Sequence, residues 1–340
     1  MFFGKKAPAA TFLPDLAAFF GLTEQQVTNW PQGNNVIVPF ACQSRHEELK
    51  QALGGNVQIS QAVTAVAANT APVPGVKNII AVTSGKGGVG KSATTVNLAF
   101  ALFQEGARVG ILDADIYGPS IPIMLGNASQ YPTSPDDKHM HPNQAHGLVA
   151  NSIGYLVEAD KATVWRGPMA SKALMQMLRE TLWPDLDYLL IDMPPGTGDI
   201  QLTLAQQIPV SGAVIVTTPQ DLALADATKG IAMFEQVNVP VLGVVENMSY
   251  YQCRACGHKD YLFATDGGKK LAQQRSVPLL GQLPLDIQIR QHADDGTPLL
   301  VAEPDSPLSA SYRQAARALA KALYLRSVQA GAKIPVHNQD

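Results

Sequence analysis

A glycine-rich stretch in the first third of the chain restricts the possible folds more than any other part of the sequence. It has the pattern Gly85-x-x-x-x-Gly90-Lys91-Ser92. An apolar, β-branched run from Ile79 to Val82 precedes it and predicts a buried strand. After it come Val96, Leu98, Ala99 and Leu102, apolar residues whose spacing predicts the inner face of a helix. This order of strand, loop and helix predicts a phosphate-binding loop in an α/β domain.

Glycines are expected in such a loop because a Cβ would block the approach of backbone N–H groups to a phosphate. The N-terminus of the following helix adds unpaired N–H groups and the positive end of its dipole. Lys91 is expected to reach the β- and γ-phosphates, and the Ser92 hydroxyl to ligate Mg²⁺. The predicted nucleotide-binding residues are Gly85, Lys86, Gly87, Gly88, Val89, Gly90, Lys91, Ser92 and Ala93. The alternative is a glycine-rich turn that binds no phosphate, which the flanking strand and helix disfavour.

Composition limits the class of protein. With 340 residues, 46% of them hydrophobic, the chain is expected to hold one large domain and a small one. A net charge of −3 gives no electrostatic case for binding nucleic acid. No apolar run reaches the length of a transmembrane helix, and the N-terminus has apolar residues before its charges, unlike a secretory signal. Three cysteines, an odd number, favour a cytoplasmic protein that uses thiols for metal or redox chemistry.

Four segments are predicted along the chain. Residues 1–60 are expected to form a small α+β module, and Cys42 within it is interpreted as a buried small residue, since no second ligand is near it. Residues 61–75 are rich in Ala, Val and Thr, end in Ala-Pro-Val-Pro-Gly, and are predicted to be a linker. Residues 76–326 are predicted to be the nucleotide-binding domain, and residues 327–340 a polar tail.

Strands and helices are predicted to alternate in the large domain. The sequence predicts strands at 107–112, 188–193, 213–217 and 239–245, and helices at 169–182, 200–207, 222–236 and 308–325. Near-continuous apolar strands between helices indicate a doubly wound, mostly parallel α/β sheet of the P-loop NTPase type. Ligands of such sheets bind at the carboxyl ends of the strands, where the next motifs lie.

Acidic residues follow two of these strands. Asp192 ends an apolar run and is predicted to hold Mg²⁺ through water. No glutamate follows it, so the catalytic role of orienting the attacking water is assigned to Asp115, with Asp113 supporting the Mg²⁺ shell. The loop from Pro194 to Gly198 suits a backbone that senses the γ-phosphate. A solvated acidic turn is the alternative for Asp113 and Asp115.

Two further motifs lie near the next strand end. Asn247 is predicted to recognise adenine, because a side-chain amide pairs with both a donor and an acceptor on a base edge; a turn-forming Asn is the alternative. Cys253 and Cys256 are separated by two residues and can bind one metal or cluster. From the residues alone an iron–sulfur cluster, a zinc site that includes His258, and a redox dithiol stay open.

Six motifs together resemble the Mrp/ApbC family of iron–sulfur cluster carrier ATPases. In chain order they are Gly85-Lys-Gly-Gly-Val-Gly-Lys-Ser92, Asp113-Ala-Asp-Ile-Tyr-Gly-Pro-Ser120, Trp165-Arg-Gly-Pro-Met169, Asp192-Met-Pro-Pro-Gly-Thr-Gly-Asp199, Val245-Glu-Asn-Met-Ser249 and Cys253-x-x-Cys256. The loop is also similar to the deviant loop of MinD-like ATPases, because Lys86 follows its first glycine. The resemblance covers residues 76–325, and residues 1–60 more weakly resemble a MIP18-like module.

This resemblance implies a homodimer with a [4Fe–4S] cluster bridged by Cys253 and Cys256 of both chains. The cluster would pass to iron–sulfur apo-proteins, and scaffold proteins are further expected partners. Lys86 would reach the nucleotide of the second chain, which places it with Lys91 and Asp115 among the catalytic residues. ATP hydrolysis would drive conformational change, and the cluster becomes the favoured occupant of the Cys pair.

A positioning ATPase of the MinD or ParA kind, with membrane or DNA association and a structural zinc on the Cys pair, is the alternative function. The predicted helix at 308–325 gives it some support, because an apolar stripe there accompanies basic residues on another face. Such a helix more often packs on its own domain. We therefore expect neither a membrane nor a nucleic-acid partner.

Overall fold

The computed structural model describes residues 12–66, 70–157 and 167–331. The N-terminal part forms a small α+β module, as the sequence predicts. Its helices are α1 (Leu13–Phe20), α2 (Glu24–Val27) and α3 (His46–Ala52), and its strands are β1 (Pro31–Gln32), β2 (Asn35–Val38) and β3 (Gln58–Gln61). The sheet has the order β1-β2-β3, with β2 antiparallel to β1 and parallel to β3. Trp165 and Arg166 of the motif Trp165-Arg-Gly-Pro-Met169 lie outside the described residues.

The large domain alternates strands and helices. Its strands are β4 (Ile79–Thr83), β5 (Val109–Asp113), β6 (Asn143–Ala145), β7 (Leu148–Ser152), β8 (Tyr188–Asp192), β9 (Gly212–Thr217), β10 (Val241–Glu246), β11 (Tyr251–Gln252), β12 (Lys259–Asp260) and β13 (Leu279–Gln282). Its helices are α4 (Lys91–Gln104), α5 (Ile121–Met124), α6 (Gly167–Glu180), α7 (Asp199–Gln207), α8 (Asp221–Gln236), α9 (Gly267–Gln274), α10 (Ile287–Asp294), α11 (Leu299–Ala302) and α12 (Pro307–Gly331).

Eight strands form one sheet in the order β13-β10-β9-β4-β8-β5-β7-β6. The neighbouring strands are parallel except β6, which pairs antiparallel with β7. Every residue of β4, β5, β8 and β9 is buried, because helices cover both faces of the sheet. The predicted mostly parallel, doubly wound α/β class is confirmed. Asp192 pairs in register with Val82 on one side and with Asp113 on the other, so three strand ends meet.

The predicted elements agree with the structure within a few residues, but the sequence analysis missed several short ones. Strands β6, β7 and β13 and helices α9, α10 and α11 are among the elements that it missed. The missed strands contain polar residues or a glycine, as in Leu-Val-Ala-Asn-Ser for β7 and Leu-Leu-Gly-Gln for β13. Their position in the sheet comes from long-range pairing, which local hydrophobic patterns do not encode.

The segment predicted as a linker packs on the protein through three valines, while most of its other described residues are exposed. Gln61 ends β3, and Val63, Val66 and Val73 are buried. The Asn78 side chain accepts a hydrogen bond from the Val66 N–H and donates one to the carbonyl of Thr64. The division of the chain at 60 and 75 stays a prediction. In the predicted tail, α12 continues to Gly331, and residues 332–340 lie outside the described part.

Aromatic side chains dock the small module on the large domain. Trp30 donates its indole N–H to the Tyr324 hydroxyl at 2.9 Å, and that hydroxyl donates to the carbonyl of Gln26 at 2.6 Å. Phe20, Phe40 and Tyr324 lie around the Trp30 ring with centroid distances of 5.3–5.6 Å. A buried aromatic cluster of this kind contributes apolar burial and favourable edge-to-face geometry. The module is therefore bound to the body and its orientation is fixed.

A buried carboxylate joins the module to the helix that follows the phosphate loop. Glu105 directly follows α4 and is 0% exposed. Its carboxylate accepts hydrogen bonds from the Ser44 hydroxyl at 2.8 Å and from Arg317 of α12 at 2.6 Å. Because an unpaired buried charge is costly, these partners hold three parts of the chain together.

The last helix packs on the protein along its apolar stripe. Tyr312, Leu319 and Leu323 are buried, and α12 lies against α4 and β13. Its basic side chains also contact the body: Lys321 donates to the carbonyl of Phe20 at 3.1 Å. The stripe that gave support to membrane association is therefore covered by the chain itself. None of the helices in the described ranges has the length and apolar character needed to cross a bilayer.

Loss of the Arg317 side chain should destabilise the contact between the module and the body. We expect Arg317→Ala to lower the free energy of unfolding by about 2–3 kcal/mol, below the cost of removing a fully buried partner because Arg317 is partly exposed. Arg326→Ala, an exposed arginine on the same helix, should change it by less than about 0.5 kcal/mol. Urea unfolding followed by circular dichroism gives both values; equal values for the two variants would contradict the role of Glu105.

Candidate nucleotide and metal-binding sites

The phosphate loop runs from β4 into α4 at the centre of the sheet. Gly90 caps α4 with φ +78°, a conformation that favours glycine. A Cβ at Gly90 would overlap the Asn247 amide, and one at Gly85 would overlap the backbone of Asp226 in α8. These glycines therefore permit close packing of neighbouring elements, in addition to the approach of a phosphate.

Three side chains of α4 converge on the carboxylate at the end of β8. Asp192 is fully buried, and its oxygens lie 2.7 Å from the Lys91 ammonium and 2.5 Å from the Ser92 hydroxyl. The Thr95 hydroxyl also donates to Asp192, at 2.8 Å. Ser92 and Asp192 together offer the hard oxygen ligands that Mg²⁺ takes. The donor set thus fits the predicted Mg²⁺ site.

Thr95 is a site residue that the sequence analysis missed. It lies four residues after Lys91, and the Lys91 carbonyl, 3.0 Å from its hydroxyl oxygen, is a second acceptor within reach of its one hydroxyl hydrogen. Residues four apart share one helix face, so the spacing alone could have suggested that Thr95 faces Asp192. Its contact fixes the orientation of the carboxylate that Lys91 and Ser92 also bind.

Asp113 supports a loop in this structure. It is buried at the end of β5, where it accepts hydrogen bonds from the Ser120 N–H at 3.1 Å and the Ser152 hydroxyl at 3.0 Å. Burial, and then the nearby Asp192 carboxylate, raise the pKa of Asp113 to about 7. Since these donors bind its oxygens, Asp113 holds the segment that carries Asp115. Its predicted support of the Mg²⁺ shell stays a prediction.

Asp115 follows β5 and faces the phosphate loop. Its carboxylate lies 3.9 Å from the Lys91 ammonium, and the side chain is 15% exposed. Burial raises the pKa of Asp115, and the charge of Lys91 offsets part of that effect. Asp115 therefore combines an acceptor oxygen with partial access from outside, which suits a group that orients a water molecule.

A cavity of about 930 Å³ opens beside Asp115, between α6 and α7. The loop after Asp192 forms one wall of it through Pro194 and Pro195. This loop is also tied to the phosphate loop, because the Gly196 N–H donates to the carbonyl of Ser84 at 2.9 Å. The structure thus brings the predicted γ-phosphate-sensing loop against the phosphate loop and Asp115.

Asn247 and Lys86 lie at the phosphate loop as well. The Asn247 amide donates to the carbonyl of Val89 at 2.9 Å, so it stabilises the loop directly. The carbonyl of Lys86 accepts a hydrogen bond from the Ser84 hydroxyl at 2.8 Å, and its side chain is half-buried. Recognition of adenine by Asn247 and a role of Lys86 in a second chain stay predictions.

The two neighbouring cysteines lie in a hairpin formed by β11 and β12. The turn is closed by hydrogen bonds from the Cys253 N–H to the carbonyl of His258 and from the Gly257 N–H to that of Cys253. Backbone N–H groups of Cys256 and Ala255 point at the Cys253 sulfur and lower its pKa. The same donors stabilise a thiolate, which is the form that binds metals. The turn therefore stabilises the thiolate form of Cys253.

The hairpin offers only part of a ligand set. Among residues 12–66, 70–157 and 167–331, no group of three or more His, Cys, Asp or Glu side chains could hold a metal. His258 is thus not grouped with the two thiols here. Cys42 is buried in the core of the small module, where burial and then Glu105 raise its pKa to about 12. Its interpretation as a buried small residue is confirmed.

The cysteine hairpin is anchored to the body on one side. Arg254, between the two cysteines, forms a salt bridge of 2.5 Å with Asp286, which also caps α10 by accepting from the Gln288 N–H. The Leu285 N–H donates to the carbonyl of Tyr250 at 2.7 Å. These contacts anchor one side of the turn and the base of the hairpin while Cys256 stays exposed.

The sequence has relatives whose function is named. Residues 75–320 match the protein family described as "ParA: NUBPL iron-transfer P-loop NTPase". The "Iron-sulfur cluster carrier protein" of Escherichia coli (strain K12) is 60% identical over 302 residues, which cover 85% of this chain and 82% of that protein.

Solved structures share the fold. The nucleotide-binding protein of Archaeoglobus fulgidus in complex with ADP is 38% identical with a TM-score of 0.61, covering 69% of this chain and 91% of its own. The cell division ATPase MinD of Pyrococcus furiosus has a TM-score of 0.52 at 23% identity and covers 72% of this chain and 98% of its own. At this low identity, the similarity to MinD shows a shared fold and no shared function.

The three cysteines should react differently with iodoacetamide. We expect Cys253 and Cys256 to be alkylated in the folded protein, with the pH midpoint for Cys253 below the ordinary thiol value of 9.0. Cys42 should stay unmodified until the protein unfolds, because it is buried and its pKa is raised. Trypsin cleaves after Arg254, so each cysteine lies on its own peptide for mass spectrometry. Equal rates for all three would contradict this arrangement.

Proposed function

This chain belongs to the family of NUBPL iron-transfer P-loop NTPases, and we propose that it is an ATP-hydrolysing carrier of [4Fe–4S] clusters. It takes up a cluster on its cysteine hairpin and transfers it to iron–sulfur apo-proteins in the cytoplasm. Scaffold proteins that supply clusters are its further partners. The observation that carries the proposal is the Cys253–Cys256 pair, with an exposed Cys256 and a stabilised Cys253 thiolate, in a chain that also has a phosphate-binding loop.

The geometry of the phosphate loop supports ATP as the nucleotide and Mg²⁺ as its ion. Lys91 binds the β- and γ-phosphates, and Ser92 and Asp192 hold Mg²⁺, which shields the charge of the phosphates. Asp115 orients the attacking water, since no glutamate follows Asp192. Asn247 favours adenine over guanine. The contacts among Lys91, Ser92, Asp192 and Asp115, at the carboxyl ends of neighbouring strands, support the roles proposed for these four residues.

The cluster is proposed to bridge two copies of the chain. A [4Fe–4S] cube takes four thiolates, and one chain offers two on its hairpin. In a twofold dimer a motif on the axis meets its own copy, so Cys253 and Cys256 of both chains complete the set. Lys86 then reaches the nucleotide of the second chain, and hydrolysis drives a conformational change that acts on the cluster.

The alternative, a positioning ATPase with a structural zinc, has less support. The apolar stripe of α12 is buried against the body, so this helix does not offer it to a membrane. A pair of exposed thiols has no use in positioning along a membrane or DNA. Zinc on the hairpin remains a measurable outcome of the cluster experiment below.

Removal of the phosphate-binding lysine should stop hydrolysis and spare cluster loading. Lys91→Ala is expected to lower ATP turnover by about 100-fold or more, because no neighbouring group replaces its charge on the phosphates. Iron loading should stay as in the unmodified protein, since the thiols lie on a separate hairpin. Lys229→Ala, an exposed lysine on α8, is the control and should hydrolyse ATP normally. Full turnover by Lys91→Ala would overturn the assignment of this loop.

The cluster proposal predicts a stoichiometry. Anaerobically reconstituted protein should hold about four irons and four sulfides per dimer. Cys253→Ala and Cys256→Ala should each lose the cluster, because each removes two of the four ligands, while Cys42→Ala should keep it. Iron and sulfide analysis with parallel analytical ultracentrifugation measures both content and association.

Removing the cluster should also weaken the dimer, because the shared centre links association to metal binding. A stable four-iron cluster on a monomer would contradict the bridging arrangement. Stoichiometric zinc that iron does not displace under anaerobic reconstitution would favour the alternative function.

A further inference from the structure

A buried glutamine lies between the two loops of the proposed ATP site. Gln201 is the third residue of α7 and is 2% exposed. The loop that leads into α7 begins directly after Asp192, the carboxylate at the end of β8. Gln201 also lines the cavity beside Asp115. It was not among the residues that the sequence analysis singled out, because one glutamine in a helix carries no recognisable pattern.

The Gln201 amide joins the ends of two strands. Its NH₂ group donates to the carbonyl of Pro194, at 3.2 Å, in the loop after Asp192. It also donates to the hydroxyl of Thr83, the last residue of β4 before the phosphate loop. One side chain therefore connects the strand end that leads to the phosphates with the loop that follows the Mg²⁺ carboxylate.

The other half of the same amide has no partner. The Gln201 side-chain oxygen is buried and forms no hydrogen bond within the part of the chain that the structure describes. An enclosed acceptor without a partner is destabilising, and it offsets part of what the two donated hydrogen bonds contribute to stability. Sites that keep such a group are often functional, because activity and stability place different demands on them.

We propose that Gln201 is a positioning residue for ATP hydrolysis, which couples the loop after Asp192 to the phosphate loop. The inference rests on the proposed ATPase function. The phosphate loop alone binds the part of the nucleotide that ADP and ATP share. The coupling matters when the γ-phosphate, the Mg²⁺ ligands and Asp115 must be aligned at once, as in the transition state. Gln201 thus affects turnover through Pro194 and Thr83 and does not touch the nucleotide.

The test is Gln201→Leu in the full-length protein, which removes both hydrogen bonds at similar side-chain volume. We expect kcat for ATP to fall about tenfold or more, with KM for ATP and Kd for ADP changed by less than about threefold. The Tm should change by only a few degrees, because loss of the bonds to Thr83 and Pro194 is offset in part by removal of the enclosed acceptor. A residue with a merely structural role would instead leave kcat of the folded fraction unchanged, whatever the change in Tm.

Gln206→Leu is the matched control, because it makes the same change at an exposed position of the same helix. It should leave kcat within about twofold of the unmodified protein. If Gln201→Leu does not fold, Gln201→Met gives the same test with an unbranched side chain. Thr83→Val removes the other side of one bond and should also lower kcat without weakening ADP binding.

The outcomes separate this inference from the proposed function. If the unmodified protein and Gln206→Leu hydrolyse ATP and Gln201→Leu does so equally well, the positioning role is wrong and the ATPase function stands. A lowered kcat accompanied by an equal loss of ADP affinity also overturns the role, because the defect then lies in general binding. If the unmodified protein does not hydrolyse ATP, the proposed function and this inference both fail.

Discussion

The buried carboxylate of Asp192 is the constraint on which the rest of the site depends. A charged group in the interior is costly unless partners compensate it. Here the Lys91 ammonium and the hydroxyls of Ser92 and Thr95 surround it, all from the first turns of α4. The position of the phosphate loop is thereby fixed relative to β8. The loop after Asp192 is fixed with it. The groups proposed to bind the phosphates and the groups proposed to sense them therefore keep a constant relative position.

The opposite end of α4 is held by a second buried carboxylate. Glu105 binds Ser44 of the small module and Arg317 of α12, so the helix that begins at the phosphate loop ends at the junction of three parts of the chain. At a rise of about 1.5 Å per residue, the two ends are about 20 Å apart. The small module therefore contacts the nucleotide-binding element at a distance from the nucleotide itself. Its aromatic contacts with Tyr324 make this junction rigid.

The cysteine hairpin lies at the surface of the protein. Its turn is fixed by the Arg254–Asp286 salt bridge and its base by a backbone hydrogen bond, while Cys256 remains exposed. Backbone N–H groups stabilise the Cys253 thiolate without burying it. An exposed, half-complete ligand set suits a cargo that must be received and released, because a closed four-ligand site holds its metal permanently. The separation of this hairpin from the phosphate loop explains why loss of hydrolysis and loss of cluster binding should be separable.

The sequence by itself determined the α/β class, the phosphate loop with Lys91 and Ser92, and Asp192 as their acidic partner, because these features depend on local patterns of strand, glycine and helix. It also indicated that Cys42 is buried, while the roles of Lys86, Asp115, Asn247 and the paired cysteines stay predictions. Only the tertiary structure decided what depends on distant contacts. Asp113 supports a loop, three valines of the segment after residue 61 are buried, and the stripe of α12 is covered by α4 and β13. The Gln201 amide reaches Thr83 across 118 positions of the sequence, and no local pattern encodes a contact made only when the sheet brings two strand ends together.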